Sequence, residues 1–162
     1  MLKKPVEDAL NKQLNAELYS SYLYLAMSAH METLPMKGFA SWLRIQSKEE
    51  LAHAMKFYDY IIESNGSVKL TAIDAPKTSW KSVGAVFDQV YAHEQKVTGL
   101  INGLMDIAIK DKDYATQNFL SWFVKEQIEE EANACEIVAK IKMIGDIPGH
   151  LLYLDHELGK RK

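Results

Sequence analysis

The stretch SNGSVKLTAIDAPKTSWKS, residues 64–82, decides the fold. It holds Asn65-Gly66, Pro76 and several Ser and Thr, and it lacks the apolar stripe of a helix. It therefore reads as a long connection. On either side stand helical patterns, at about 5–33 and 37–64 before it and at about 82–110 and 114–144 after it. A short helix is expected near 148–159, and GDIPGH (145–150) ends the helix before it. Pro35 breaks METLPMKG (31–38), and KDKDYAT (110–116) is a polar turn, so the joins inside each pair are only a few residues. Short joins make antiparallel neighbours. The long join is about 17 residues. At roughly 3.3 Å per extended residue it spans a helix of about 40 Å, at about 1.5 Å per helical residue. The expectation is all-α: a four-helix bundle with one long crossover and a short fifth C-terminal helix, forming a single domain over 1–162.

Composition narrows the function. The chain has 162 residues, 48% hydrophobic and 25% charged, with a net charge of −3. That balance gives no ground for a nucleic-acid partner or an anionic membrane surface. No apolar run is long enough to cross a bilayer, and the first residues lack the apolar centre of a secretory signal. Cys135 is the only cysteine, which excludes a disulfide framework and cysteine-held iron–sulfur sites and points to a reducing cytoplasm.

The apolar stripes carry the chemistry. Segment one recurs through Leu10, Leu14, Glu17, Ser21 and Tyr24. Segment two recurs through Phe39, Leu43, Glu50, His53, Phe57 and Tyr60 or Ile61. Segment three gives Val83, Phe87, Val90, Glu94, Val97, Ile101 and Leu104. Segment four gives Phe119, Phe123, Gln127, Glu130, Ala134, Ile137 and Ile141. Each helix places a glutamate on its inward stripe near mid-length. In an antiparallel bundle those middles share one level, so Glu17, Glu50, Glu94 and Glu130 converge, with His53 one turn from Glu50. Buried carboxylates must be protonated, paired or metal-bound. No Lys or Arg lies on these stripes near that level. Two divalent cations balance four carboxylates, and carboxylates with one imidazole suit iron or manganese, although zinc also fits. Glu50 and His53, at i and i+3, face the same way and can share a metal. Taken alone, Glu50-x-x-His53 is a common spacing, and the run Glu129-Glu130-Glu131 reads equally as a solvated face.

Over nearly its whole length the chain resembles the bacterial and archaeal non-haem ferritins. The resemblance rests on QLNAELYSSYLYLAMSAH (13–30), EELAHAMKFYDYI (49–61), YAHEQ (91–95), NFLSWFVKEQIEEE (118–131) and LLYLDHEL (151–158). It implies a ferritin-like diiron bundle that oxidises Fe(II) with dioxygen or hydrogen peroxide and stores ferric mineral in a shell of twenty-four subunits. It also implies that Glu17, Glu50 and His53 hold a first iron and that Glu50, Glu94 and Glu130 hold a second, with Gln127 beside the pair. Glu49, Glu126, Glu129 and Glu130 match a third iron site. Tyr24 and Trp122 match aromatic residues near the centre that supply electrons.

Departures from neighbouring families sharpen this. Gln127 and Glu130 stand where bacterioferritins and rubrerythrins carry a second Glu-x-x-His, and Leu51 stands where bacterioferritin has its haem-binding methionine. No haem is therefore expected at that position; other methionines, including Met55, would need a different binding geometry. His30 and His93 are expected to be surface or packing residues and Cys135 a small packing residue, while the last helix offers Leu151, Leu152, Leu154 and Leu158 for burial, either against its own bundle or, as the resemblance implies, at a symmetry axis of the shell. His150 and His156 carry no assigned role. The competing functions are a dimetal oxidoreductase with a soluble product and a metal-free helical scaffold.

Overall fold

The computed structural model describes residues 2–145 and 147–162. Met1 lies outside the described residues, as does Asp146 within the expected GDIPGH turn. The helices are α1 (Lys4–Glu32), α2 (Lys37–Glu63), α3 (Val83–Lys110), α4 (Tyr114–Ile144) and α5 (Pro148–Leu158). Their ends follow local chemistry. Pro5 and Pro148 sit in first turns, where a missing N–H costs no helical bond. Ser82 Oγ accepts from Ala85 N at 3.0 Å, and Asp113 Oδ1 accepts from Thr116 N at 3.0 Å, capping α3 and α4. Gly145 ends α4 at φ 62° and ψ −154°, a backbone state closed to residues with a Cβ.

Helix α1 packs on α2 and on α3, α3 packs on α4, and α5 packs on α2 and α4. The crossover lies along α1. Asn11 Nδ2 donates to Ser67 O at 3.0 Å, while Asn11 Oδ1 accepts from Lys69 N at 2.6 Å. Further along, Asn15 Nδ2 reaches Ala72 O at 3.3 Å, and the His30 and Trp80 rings lie 5.3 Å apart. The extended chain thus pairs its own polar backbone with α1 side chains, as a surface connection must.

The core divides into two apolar halves with a polar layer between them. One half gathers Tyr24, Met27, Phe39, Leu43, Phe87 and Ile137 with their neighbours. The other gathers Leu10, Leu14, Phe57, Ile101, Leu120 and Phe123 with theirs. Every helix of the four passes from one half to the other and changes from apolar to polar at its middle. The stripe residues expected inside are buried, apart from Ser21, Phe119 and Tyr60, which are half-buried.

Helix α5 docks on the start of α2 through a close approach. A Cβ on Gly38 would stand 1.7 Å from the Asp155 carbonyl oxygen. Asp155 Oδ1 accepts from Phe39 N at 2.8 Å, supplying from α5 the cap that Met36, at the start of α2, does not provide. Within the single chain Leu154 is buried and Leu151 and Leu158 are partly so, whereas Leu152 is 48% exposed. Cys135 departs from expectation and lies exposed on α4.

Gly38→Ala should therefore release α5 while leaving α1–α4 folded. Limited proteolysis should cut after residue 145 in the variant and not in the parent, with a loss of helical signal no larger than the 11 residues of α5. An unchanged proteolysis pattern would show that the Gly38–Asp155 approach does not hold the helix.

Candidate metal centre

The polar layer is built from one side of each long helix. Glu17, Glu50, His53, Glu94, Gln127 and Glu130 are all buried there. Three sets of side chains each bring one ligand atom per residue within 4.8 Å of one another: Glu17, Glu50 and His53; Glu50, Glu94 and Glu130; and His53, Glu126 and Glu130. Glu50 belongs to the first two sets, so a carboxylate stands between two neighbouring positions for a cation. His53 Nδ1 lies 3.4 Å from Glu50 Oε2, the i,i+3 pairing that the sequence spacing dictates.

Amide and phenol donors hold the carboxylates in place. Gln13 Nε2 donates to Glu17 Oε1 at 2.7 Å. Gln46 Nε2 donates to Glu130 Oε2 at 2.7 Å and to Glu50 Oε1 at 3.3 Å. Gln127 Nε2 stands 3.2 Å from Glu94 Oε2, and the Tyr24 hydroxyl donates a short hydrogen bond to Glu94 Oε1. One oxygen is left over. Glu17 Oε2 is buried and has no hydrogen-bond partner. An orphaned carboxylate oxygen beside the Glu50 carboxylate is costly unless a proton or a cation meets it.

The electrostatics follow from burial and crowding. Burial raises the Glu17 carboxyl well above its ordinary range, and the charge of Glu50 adds to that. Burial, then Glu94 and Glu130, does the same to Glu50. Glu94 is raised by burial against the opposing hydrogen bonds of Tyr24 and Gln127. Glu130 is pushed up to about 7, by burial first and then by Glu94. Tyr24 is raised by burial and by Glu94. Such groups favour protonation when no cation is near and release protons when one binds.

The outer edge differs from the inner layer. Glu126 is half-buried and shares a set with His53 and Glu130. Glu129 is exposed and belongs to none of the three sets. Glu49 also lies outside them, and its carboxylate is paired with Arg161, which follows α5. The Trp122 ring meets His53 edge-on at 5.4 Å. His93 is a packing residue behind the layer: its Nε2 is 2.8 Å from Ser20 Oγ and its ring meets Tyr24 at 5.7 Å. Burial, then Lys96, pushes its pKa down to about 4, so His93 is neutral near pH 7 and offsets none of the carboxylate charge.

Sequence reasoning missed Gln13, Gln46 and Arg161. A signal for the glutamines was present, since each stands four residues before an inward glutamate on its own helix. Nothing local marks Arg161, which reaches the layer only because α5 docks on α2.

Comparison with known proteins agrees with this geometry. Residues 7–144 match the ferritin-like domain family. A bacterial non-heme ferritin of Bacteroides fragilis is 45% identical over 161 residues, covering 99% of this chain and 100% of that protein. One of Escherichia coli O157:H7 is 37% identical over 158 residues, covering 98% and 96%. An open-pore ferritin from the hyperthermophilic archaeon Archaeoglobus fulgidus superimposes with a TM-score of 0.99 at 47% identity, each chain covered completely. With its four inward glutamates, its crossover and these relatives, the chain belongs to the ferritin family, as a prokaryotic non-haem ferritin.

Proposed function

We propose that this ferritin oxidises Fe(II) at a dinuclear centre inside each subunit and stores the ferric product as mineral within a cytoplasmic homo-oligomeric shell, of twenty-four subunits in the usual family form. The observation that carries the reading is the orphaned Glu17 Oε2, which faces the crowded carboxylates of a layer without a Lys or Arg from its four helices. Iron is the substrate. Glu17, Glu50 and His53 receive one ferrous ion, and Glu50, Glu94 and Glu130 receive the other, with Glu50 between them and Gln127 steadying Glu94. Four carboxylates and two divalent ions balance in charge.

Two ferrous ions held side by side give up one electron each to the same oxidant. Dioxygen is taken to the level of hydrogen peroxide, and hydrogen peroxide with two protons is taken to two waters, in each case leaving two ferric ions. No one-electron oxygen product needs to escape. The protein contributes ligand geometry and open positions. Tyr24, hydrogen-bonded to Glu94, and Trp122, packed on His53, lie close enough to supply further electrons. Glu49, Glu126, Glu129 and Glu130 form the edge at which a third iron binds. Leu51 is 46% exposed and offers no ligand atom to haem at that position.

Removing the shared ligands tests the dinuclear reading. Glu50→Ala and His53→Ala should each slow the fast phase of Fe(II) oxidation by more than about 100-fold, beyond what loss of an outer partner costs. Glu129→Ala should leave that phase within about threefold and alter the later turnover or its stoichiometry. Equal losses from Glu50→Ala and Glu129→Ala in stopped-flow absorbance would contradict the division between the pair and the edge.

A second test addresses the electrostatics. Glu17→Gln keeps the shape and the bond from Gln13 while removing a carboxyl that burial forces to take up a proton when no metal is bound. Metal-free Glu17→Gln should melt above the metal-free parent. It should also gain less from Zn(II), which stabilises a native site by about 2.7 kcal/mol at a hundredfold excess over its dissociation constant. Calorimetric scans at matched rates make the comparison valid even where unfolding is irreversible. A lower metal-free melting temperature with an undiminished zinc response would remove Glu17 from the site.

A further inference from the structure

The tail after α5 brings a cation to the edge of the metal layer. One guanidinium nitrogen of Arg161, Nη2, pairs with the Glu49 carboxylate. The other, Nη1, donates to Gln46 Oε1 at 2.9 Å. The guanidinium lies over the Trp42 ring with 4.7 Å between its carbon and the ring centroid. Its side chain is 25% exposed, so the group is wedged between α2 and solvent and not swinging freely. The same Gln46 turns its amide NH2 inward to Glu130 and Glu50. A continuous chain therefore runs from Arg161 through Gln46 to two carboxylates of the proposed pair.

Each contact has a chemical consequence. With its carbonyl oxygen held by Arg161, Gln46 presents its NH2 to the carboxylates and not its oxygen. A flipped amide would set a carbonyl dipole against Glu130 and lose two hydrogen bonds. Glu49 is affected in the opposite direction. A carboxylate paired with a guanidinium is poorly placed to ligate iron, and a 2+ or 3+ ion at the edge would be repelled by the fixed positive charge beside it. Arg161 is held there by tertiary structure: Asp155 caps α2, Gly38 admits the Asp155 carbonyl, and Leu154 is buried.

We propose that Arg161 is a displaceable internal cation that occupies Glu49 in the metal-poor protein, so that iron at the third position and docking of the C-terminal tail exclude one another. This rests on the proposed function above, which gives Glu49 to the third position. Its consequence is an order of filling. The inner pair binds with the tail docked and Gln46 oriented. Iron takes the edge only by drawing Glu49 away from Arg161, which frees the tail and loosens the Gln46 bonds to Glu130 and Glu50. Occupancy of the edge is thereby reported to the inner carboxylates and to the C-terminal helix. Reciprocity requires that the tail respond to metal by the same factor with which metal responds to the tail.

The experiment is anaerobic equilibrium binding of Fe(II) to the assembled parent protein, Arg161→Ala and Arg161→Lys, with assembly checked by light scattering. In Arg161→Ala the third equivalent should bind more tightly than in the parent, by about 5- to 150-fold. The first two equivalents should weaken in Arg161→Ala, by no more than about 10-fold, because Gln46 loses one anchor but keeps its place on α2 and its reach to Glu130 and Glu50. Arg161→Lys keeps a charge but loses the two-armed contact and should fall between. Adding Glu49→Gln to Arg161→Ala should abolish the gain. Hydrogen exchange supplies a readout independent of affinity: in the parent, amides of residues 158–162 should exchange faster once the third equivalent is bound. A third equivalent of unchanged or weaker affinity in Arg161→Ala would overturn the proposal, as would tail exchange that ignores metal. Failure of the parent to bind the first two equivalents would instead overturn the dinuclear reading itself.

Discussion

Four carboxylates facing one another in the dry middle of a helical bundle set the terms for the rest of this structure. Each buried ionised carboxylate costs several kcal/mol before any repulsion among them is counted. None of the four helices offsets this with a lysine or arginine at that level, and His93, the imidazole behind the layer, is neutral. The chain answers with neutral donors. Gln13, Gln46, Gln127 and Tyr24 each hold a carboxylate oxygen and fix its direction. They do not neutralise it. The result is a site rigid in geometry and deficient in positive charge, which is the condition for tight binding of small, hard cations.

The fold supplies the rigidity by splitting its core. Aromatic and aliphatic side chains close the bundle above and below the layer, for example through Phe39 on Phe87 and Phe57 on Phe123, whose ring centroids are 5.4 Å and 4.3 Å apart. The layer is therefore clamped at both ends, and its carboxylates cannot relieve their repulsion by moving apart along the bundle axis. The crossover and α5 lie outside this clamp. One is tied along α1 by Asn11 and Asn15, and the other caps α2 through Asp155. Through Arg161, the segment after α5 also brings a cation to Gln46 and Glu49 at the edge of the layer.

Much of this was legible in the sequence because helical periodicity fixes direction. Glu17, Glu50, Glu94 and Glu130 share phase with strongly apolar neighbours, and the two short joins put their levels in register. That reasoning located the layer and His53 without any coordinates. It was weaker where a residue's role depends on a partner far away in the chain. Gln46 looks like any helical polar residue until Glu130 of α4 stands opposite. Arg161 looks like a solvated terminus until Gly38 admits α5. Cys135 was expected to pack, being small and apolar in character, but its helical phase points it outward. Glu129 adjoins Glu130 in sequence, and one residue of helical rotation takes it out of the layer and into solvent.

The central claim is that the metal-free layer carries protons where iron will sit. Anaerobic calorimetric titration with Fe(II), in buffers of different protonation enthalpy at about pH 6, counts the protons displaced as metal binds. Burial and mutual repulsion raise the Glu17, Glu50 and Glu94 carboxyls and push Glu130 up to about 7. The first two equivalents should therefore release more than one proton per subunit, and fewer as the pH is carried above about 7. Binding of those two equivalents with no proton released at the lower pH would mean that the carboxylates are already ionised in the metal-free protein, and that the layer does not carry the protons assigned to it here.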